Sequence, residues 1–436
     1  MTNNLSVKPW LPQTPPPEVT FFNVNLVDTE LGEVVPNSIV KIKDGLIIDV
    51  TAGSAESPSL LDGTGAVDLK GQYLCPGLID CHVHLTATPG ALSLKDLFSA
   101  SPNSIAYRTA FVAREMLLRG FTTARDTGGA DSSLREAIRE GLIIGPRLFI
   151  AGKALSQTGG HGDLRASYEG EEHKCCGGHS PAFARVCDGV PECLSAVRDE
   201  LRQGADFIKI MCGGGVATPA DALDMLQFTA EEIHAITTTA KYSKTYVTAH
   251  AYTIDAIRHA VDNGVMGIEH GNFIDEETAA YCTKKGVVFT PTLVTYKSMT
   301  RPPFDNFLDK FSQEKNRQVL ARATICYGSD LLAGLHSLQN EEFSIRSSVL
   351  SAKEILQSAT VNAAKLLGME NRLGCIKKGG IADILILKSN PLEDITILDR
   401  IDESLVAIIK EGRVVFKRSS WLAVDPMYDP CRVQAE

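Results

Sequence analysis

Short apolar, β-branched runs alternate with helical patterns through most of this chain, and that rhythm limits its possible folds more than any other feature. The runs fall at residues 77–84, 121–126, 147–152, 206–212, 246–251, 265–271, 287–293 and 324–330. Between them, apolar residues recur at three- or four-residue steps, most clearly over 105–118, 230–241, 254–262, 275–284 and 352–367. That is the period of a helix with one buried face. Strands separated by helices run parallel, and eight such units close as an α/β fold of the (β/α)8, TIM-like barrel type. A doubly wound open sheet is the competitor. It lacks support, because no Gly-x-Gly-x-x-Gly turn follows the first strand.

Both ends of the 436-residue chain read differently. Val40-Lys-Ile-Lys-Asp44-Gly45-Leu-Ile-Ile-Asp-Val50 puts apolar residues on either side of an Asp-Gly turn, a hairpin signal. Near the C-terminus, 383–387 and 405–409 repeat the style, and Glu411-Gly412 turns the chain into 413–416. Neither end has enough strands to enclose a core, so together they are expected to build one small β-sandwich. The expected divisions are 1–75 and 371–436 for the sandwich and tail, and 76–370 for the barrel.

Composition narrows the partners. A net charge of −10 leaves no basic stripe to neutralise phosphates, which disfavours nucleic acid and anionic membranes. No apolar run is long enough to span a bilayer. Residues 1–17 are polar and proline-rich, unlike a secretory leader. Eleven scattered cysteines then read as free thiols in a reducing compartment, and the expected location is the cytoplasm.

The chemistry sits at the ends of the runs, where a barrel of this type gathers its active groups. The first run ends in His82-Val83-His84. Alternation on a strand throws both imidazoles to one side, the arrangement of a divalent metal site, typically zinc. The fourth run carries Lys209, the fifth His250, the sixth His270 and the eighth Asp330. All are metal-competent or ionisable, and burying them without a metal would be expensive. Lys209 is flanked by apolar residues and cannot comfortably remain a lone ammonium. Two accounts stay open. One is an ion pair with Asp330 or a neighbouring glutamate. The other is a carbamate, formed when the neutral amine takes up carbon dioxide, whose two oxygens can bridge two metal ions.

The pattern His82-x-His84, Lys209, His250, His270, Asp330 resembles the binuclear amidohydrolase superfamily. So do Gly120-Phe-Thr-Thr-Ala-Arg-Asp126 and the tail Gly379-Gly-Ile-Ala-Asp383-Ile-Leu-Ile-Leu387. The subgroup it resembles holds imidazolonepropionase-related hydrolases, Xaa-Pro and Xaa-Arg dipeptidases and ochratoxinase-type amidases. The resemblance implies two divalent ions, zinc by its donor set. His82, His84 and Asp330 would hold one and His250 and His270 the other, with carboxylated Lys209 and a hydroxide bridging them. It also implies that the hydroxide attacks a small-molecule amide, that of a dipeptide or an N-acyl amino acid. Asp330 would act as base and then acid, and a homo-oligomer is expected. A cyclic-amide hydrolase shares every ligand. A mononuclear deaminase and an inactive structural homologue are the remaining alternatives.

Around this set, His161 in Ser156-Gln-Thr-Gly-Gly160-His161 and Tyr252, two residues past His250, are candidates for substrate contact. Asp126 reads as support. The stretch 165–193, with Cys175, Cys176, Cys187, Cys193, His173 and His179, reads as a pocket-forming insert rather than a zinc knuckle. Gly213-Gly-Gly215 suits close backbone passage beside the metals. Glu341, Glu342 and His336 read as surface or supporting groups. The seventh unit is short compared with the family pattern: 313–322 leaves room for a helix of about ten residues, roughly 15 Å.

Overall fold

The computed structural model describes residues 8, 10–12, 14–53, 65–91, 93–165, 183–218, 221–302, 305 and 326–428. Two parallel sheets carry the alternating region. One has three strands, Leu78–Val83, Phe121–Asp126 and Arg147–Ile150, in that order. The other has six, ordered Ala184–Val186, Ala154–Ser156, Ile208–Met211, Val247–Ala251, Gly267–His270 and Val288–Thr290. Every pairing within them is parallel. The strands are buried on both sides, which is why their sequences read as continuous apolar runs.

Seven of the eight expected runs therefore contain a strand. The eighth does not form a regular ladder: 324 and 325 lie outside the described residues, and 326–330 carries no strand assignment. Its backbone is nevertheless held at both sides. Cys326 N–H donates to Phe289 O at 2.8 Å, Cys81 N–H to Tyr327 O at 2.8 Å and Asp330 N–H to His82 O at 2.8 Å. A further bond, Asp206 N–H to Ile150 O at 2.7 Å, runs between the two sheets at their other meeting point.

The helices follow the apolar period closely. Pro102–Leu118, Ala230–Tyr242, Ile254–Asp262 and Glu276–Lys285 match the expected segments within a few residues. Thr229 and Glu232 form a capping box that satisfies two orphan N–H groups at the start of the second. The segment expected over 352–367 is two helices, Ala352–Ser358 and Val361–Leu366. The break falls at Thr360, which leaves helical geometry at φ −137° and ψ −97°. There the Gly374 backbone packs so tightly that a β-carbon on it would lie 2.5 Å from the Thr360 carbonyl.

Strands from both chain ends form one eight-stranded sheet. Its order is Arg413–Lys417, Leu405–Lys410, Ile384–Leu387, Tyr73–Pro76, Val19–Asp28, Glu33–Lys43 and Leu46–Thr51, with Ala66–Asp68 beside Val19–Asp28. The two predicted hairpin turns adopt the left-handed backbone such turns require: Asp44 and Gly45 at φ 52° and 77°, Glu411 and Gly412 at φ 52° and 75°. These turns abut, since a β-carbon on Gly412 would lie 2.9 Å from Gly45 Cα.

After Asp330 the chain turns inward again, so of the two readings of this stretch the supporting one describes Glu342 and His336. Glu342 is fully buried and accepts from Arg346 Nε at 2.7 Å and from Val294 N–H at 2.6 Å. Arg346 also donates to Cys326 O at 3.1 Å and Pro291 O at 3.0 Å. This pair thus ties three segments around the approach to Asp330. Glu342→Ala would leave the guanidinium buried without its counter-charge, at a cost of about 3–5 kcal/mol; urea unfolding of the variant and the parent measures it.

His336 is buried too, with Nε2 2.9 Å from Ala87 O. Burial lowers its pKa from 6.5 to about 4. Below pH 6.5 the unfolded chain takes up this proton before the native state does, so stability falls as pH drops through the window from 6.5 to 4. The slope corresponds to one proton and totals about 3 kcal/mol. His336→Gln is expected to flatten the acid limb of a stability-against-pH curve by that amount, and a curve parallel to the parent's would refute it.

Candidate metal centre

The ends of the parallel strands bring the ionisable residues together. His82 lies on Leu78–Val83 with His84 just beyond, Lys209 on Ile208–Met211, His250 on Val247–Ala251 and His270 at the end of Gly267–His270. Asp330 closes the group from the 326–330 segment. Its Oδ1 stands 3.3 Å from His82 Nε2 and 3.2 Å from His84 Nε2. Ring centroids are 5.1 Å apart for His82 and His270, and 4.6 Å for His250 and His270. Ligand atoms of His82, His270 and Asp330 all lie within 4.8 Å of one another. His270 and Asp330 adopt φ of 72° and 50°. Non-glycine residues rarely take that conformation, and it costs of order 1–3 kcal/mol at each position.

Each imidazole is aimed by a bond on its other nitrogen. His82 Nδ1 is 2.7 Å from Glu269 Oε2, and His84 Nδ1 is 2.7 Å from Gly128 O. His270 Nδ1 meets the Thr292 and Tyr296 hydroxyls, both at 2.8 Å. These three rings present Nε2 to the cluster. His250 is the reverse: its Nε2 faces Gly214 O at 3.3 Å, leaving Nδ1. Such partners fix tautomer and orientation, as metal-ligating histidines require.

The charges suit a cation. Burial and the neighbouring cationic groups hold His250 well below the usual histidine range, and burial does the same for His270. Both are therefore neutral donors. Burial alone would raise the Asp330 carboxyl, yet His82 and His84 hold it well below the ordinary carboxylate range. Burial brings the Lys209 ammonium down to about 8. Among the described residues no carboxylate is in direct ion-pair contact with it, although the charges of Glu269 and Asp330 partly offset the effect of burial. Against burial, the Asp330 carboxylate raises the His84 pKa. Imidazole nitrogens, one carboxylate and a readily deprotonated amine form a donor set that fits divalent metal.

His161 and Tyr252 adjoin the same cluster. The His161 ring stacks on His250 at 4.2 Å, and its Nδ1 lies 3.0 Å from Thr218 Oγ1 and 3.3 Å from Asp221 Oδ2. Gly215 passes so close that a β-carbon would sit 1.9 Å from His161 Cε1, which gives the glycine run its physical reason. The Tyr252 ring is 4.8 Å from His250, and its hydroxyl accepts from Tyr296 at 2.9 Å. Asp126 is a support, as read, accepting from the N–H groups of Leu85, Gly128 and Ala130.

Several neighbours of the cluster escaped the sequence reading: Asp80, Arg125, Glu269, Thr292 and Tyr296. Asp80 accepts from Ser329 Oγ at 2.6 Å and Gln339 Nε2 at 2.8 Å, fastening the first strand to the Asp330 segment. The available signal was a charged residue inside an apolar run, which Asp80, Arg125 and Glu269 all show. Cys175, Cys176, His173, His179 and the short helix expected over 313–322 lie outside the described residues. Cys187 and Cys193 are buried with their sulfurs 3.9 Å apart.

Comparison with known proteins agrees with this geometry. Residues 73–415 match the model of the Amidohydrolase family. A prolidase solved with N-methylphosphonate-L-proline is 39% identical, with a TM-score of 0.86 over 92% of this chain and all of that one. Ochratoxinase of Aspergillus niger is 28% identical over 420 residues, 92% of this chain and 87% of its own. Its crystal structure superposes with a TM-score of 0.80 at 27% identity, over 94% of this chain and 98% of that one. Imidazolonepropionase of Kosmotoga olearia is 24% identical over 417 residues, 88% of this chain and 92% of its own. The chain belongs to the amidohydrolase family and is a hydrolase of carbon–nitrogen amide bonds.

Proposed function

We propose that this protein is a binuclear metal-dependent amidohydrolase that cleaves the amide bond of a dipeptide or an N-acyl amino acid. The observation that carries the proposal is the meeting of four imidazoles and Asp330 at one set of strand ends, beside a buried Lys209 that the carboxylates of Glu269 and Asp330 influence without direct ion-pair contact among the described residues. In this reading His82, His84 and Asp330 would hold one ion, His250 and His270 the other, and Lys209 would serve both as its carbamate. The two parallel sheets with 326–330 are the eight-unit barrel over 76–370, and the sheet from 1–75 and 371–436 is the small sandwich. The amide substrate class is favoured by the likeness to a prolidase and an ochratoxinase.

The metal pair, when bound, supplies a water activated for attack and polarises the scissile carbonyl. The chain supplies the proton path and the alignment. Asp330 turns Oδ1 toward His82 and His84, so Oδ2 is the atom to take the proton from the attacking water and return it to the leaving nitrogen. The His161 imidazole and the Tyr252 hydroxyl contact the carbonyl or carboxylate of the substrate. Tyr252 is aligned for that by Tyr296.

Metal-reconstituted enzyme should bind two zinc or manganese ions per chain and hydrolyse N-acyl amino acids or dipeptides in a panel that also contains cyclic amides. Turnover of cyclic amides alone would favour an imidazolonepropionase-like activity, the reading supported by the similarity over 417 residues. Asp330→Asn should lower kcat by about 10²–10⁴-fold with metal content largely kept. Full activity in that variant would remove Asp330 from the proton path. Lys209→Ala should reduce the bound metal below two ions, as read by elemental analysis.

A further inference from the structure

Barrel interiors are ordinarily packed with branched aliphatic side chains. Here a guanidinium and a carboxylate, Arg125 and Glu269, lie completely buried among the parallel strands, joined at 2.6 Å. Such a pair contributes little net stability, since apolar replacements of similar volume are often neutral or stabilising. What Glu269 touches gives it another purpose. Its Oε2 meets His82 Nδ1 at 2.7 Å, while Oε1 accepts from Arg125 Nη2 and the Thr248 hydroxyl. Arg125 is itself anchored, by Nε to Cys81 O at 2.5 Å, by Nη1 to Tyr246 Oη at 3.2 Å and by its position 5.0 Å over the Phe207 ring. The carboxylate is thereby fixed against the imidazole. The other three metal-facing histidines have uncharged partners on the bonded nitrogen, a carbonyl for His84 and His250 and hydroxyls for His270.

We propose that Glu269, held by Arg125 and Thr248, is a positioning residue that sets the affinity of one of the two metal ions, the one assigned to His82, His84 and Asp330. This rests on the binuclear reading above. Glu269 keeps the His82 proton on Nδ1, turns Nε2 toward Asp330 and makes that nitrogen a stronger donor. A carboxylate behind a ligating imidazole is worth about 10–100-fold in metal affinity. Among the described residues no carboxylate bonds to the imidazoles of His250 and His270, so the two ions should respond differently to loss of Glu269.

The test is titration of the metal-free full chain with zinc against a chromophoric chelator, with thermal unfolding of the metal-free proteins alongside. In Glu269→Gln one of the two zinc ions should bind about 10–100-fold more weakly while the other is unchanged. The double variant Arg125→Met/Glu269→Met removes both buried charges. It should unfold close to the parent temperature without zinc, yet lose the same ion. A merely structural pair predicts the opposite, a lowered unfolding temperature with both affinities intact, and that result overturns the proposal. Should Glu269→Gln fail to fold, Thr248→Val removes one bond to the carboxylate and should weaken one ion by a smaller factor; parental affinity there also overturns it. A parent chain that takes up no zinc overturns the binuclear reading and this inference together. Two parental affinities in Glu269→Gln overturn this inference alone.

Discussion

Charge compensation among closely packed, largely buried groups governs this molecule. Four imidazoles, an amine and a carboxylate converge at the strand ends, and each would be costly to bury as an isolated ion. The fold lowers that cost residue by residue. His250 and His270 are kept neutral, Asp330 stays ionised against His82 and His84, and Lys209 is brought down to about 8, within reach of its neutral form. Beneath them Arg125 and Glu269 cancel each other. What remains is a cluster of imidazole, carboxylate and amine donors whose protons a divalent cation can displace.

Holding that cluster requires the backbone to depart from regular geometry. On a strand, Glu269 and His270 should point to opposite sides, yet both reach His82. The left-handed φ at His270 ends the alternation and turns its ring toward the same interior. Asp330 makes a similar turn out of a segment secured by Asp80, Ser329 and the His82 carbonyl. Strain is thus concentrated at two groups of the cluster, and the hydrogen bonds around them keep it in place.

These details explain which parts of the design could be read in advance. The period of two and the period near 3.6 revealed the strands and helices, and residues at the ends of apolar runs pointed to the cluster. Asp-Gly and Glu-Gly dipeptides marked both hairpins because few other pairs tolerate positive φ in succession. Glu269 was hidden because simple alternation assigned it to the side away from His270. Tyr296 and Thr292 approach from a helix and its preceding loop, where no periodicity connects them to His270. The break at Thr360 depended on the close passage of Gly374, fourteen positions further along the chain and invisible to a local pattern. His336 and Glu342 followed the last strand in polar surroundings, and only tertiary packing drew them inside.

The shared terminal sheet has a consequence for biogenesis. Tyr73–Pro76 pairs with Ile384–Leu387, so the edge left by Tyr73–Pro76 stays open until residues 384–387 have emerged. Pairings so distant along the chain form late and slowly. Until then the nascent molecule has an unsatisfied ribbon of backbone amides along that edge. Residues beyond 384 therefore act as the closing clasp, and a ribosome that stops short of them releases a chain with an adhesive edge.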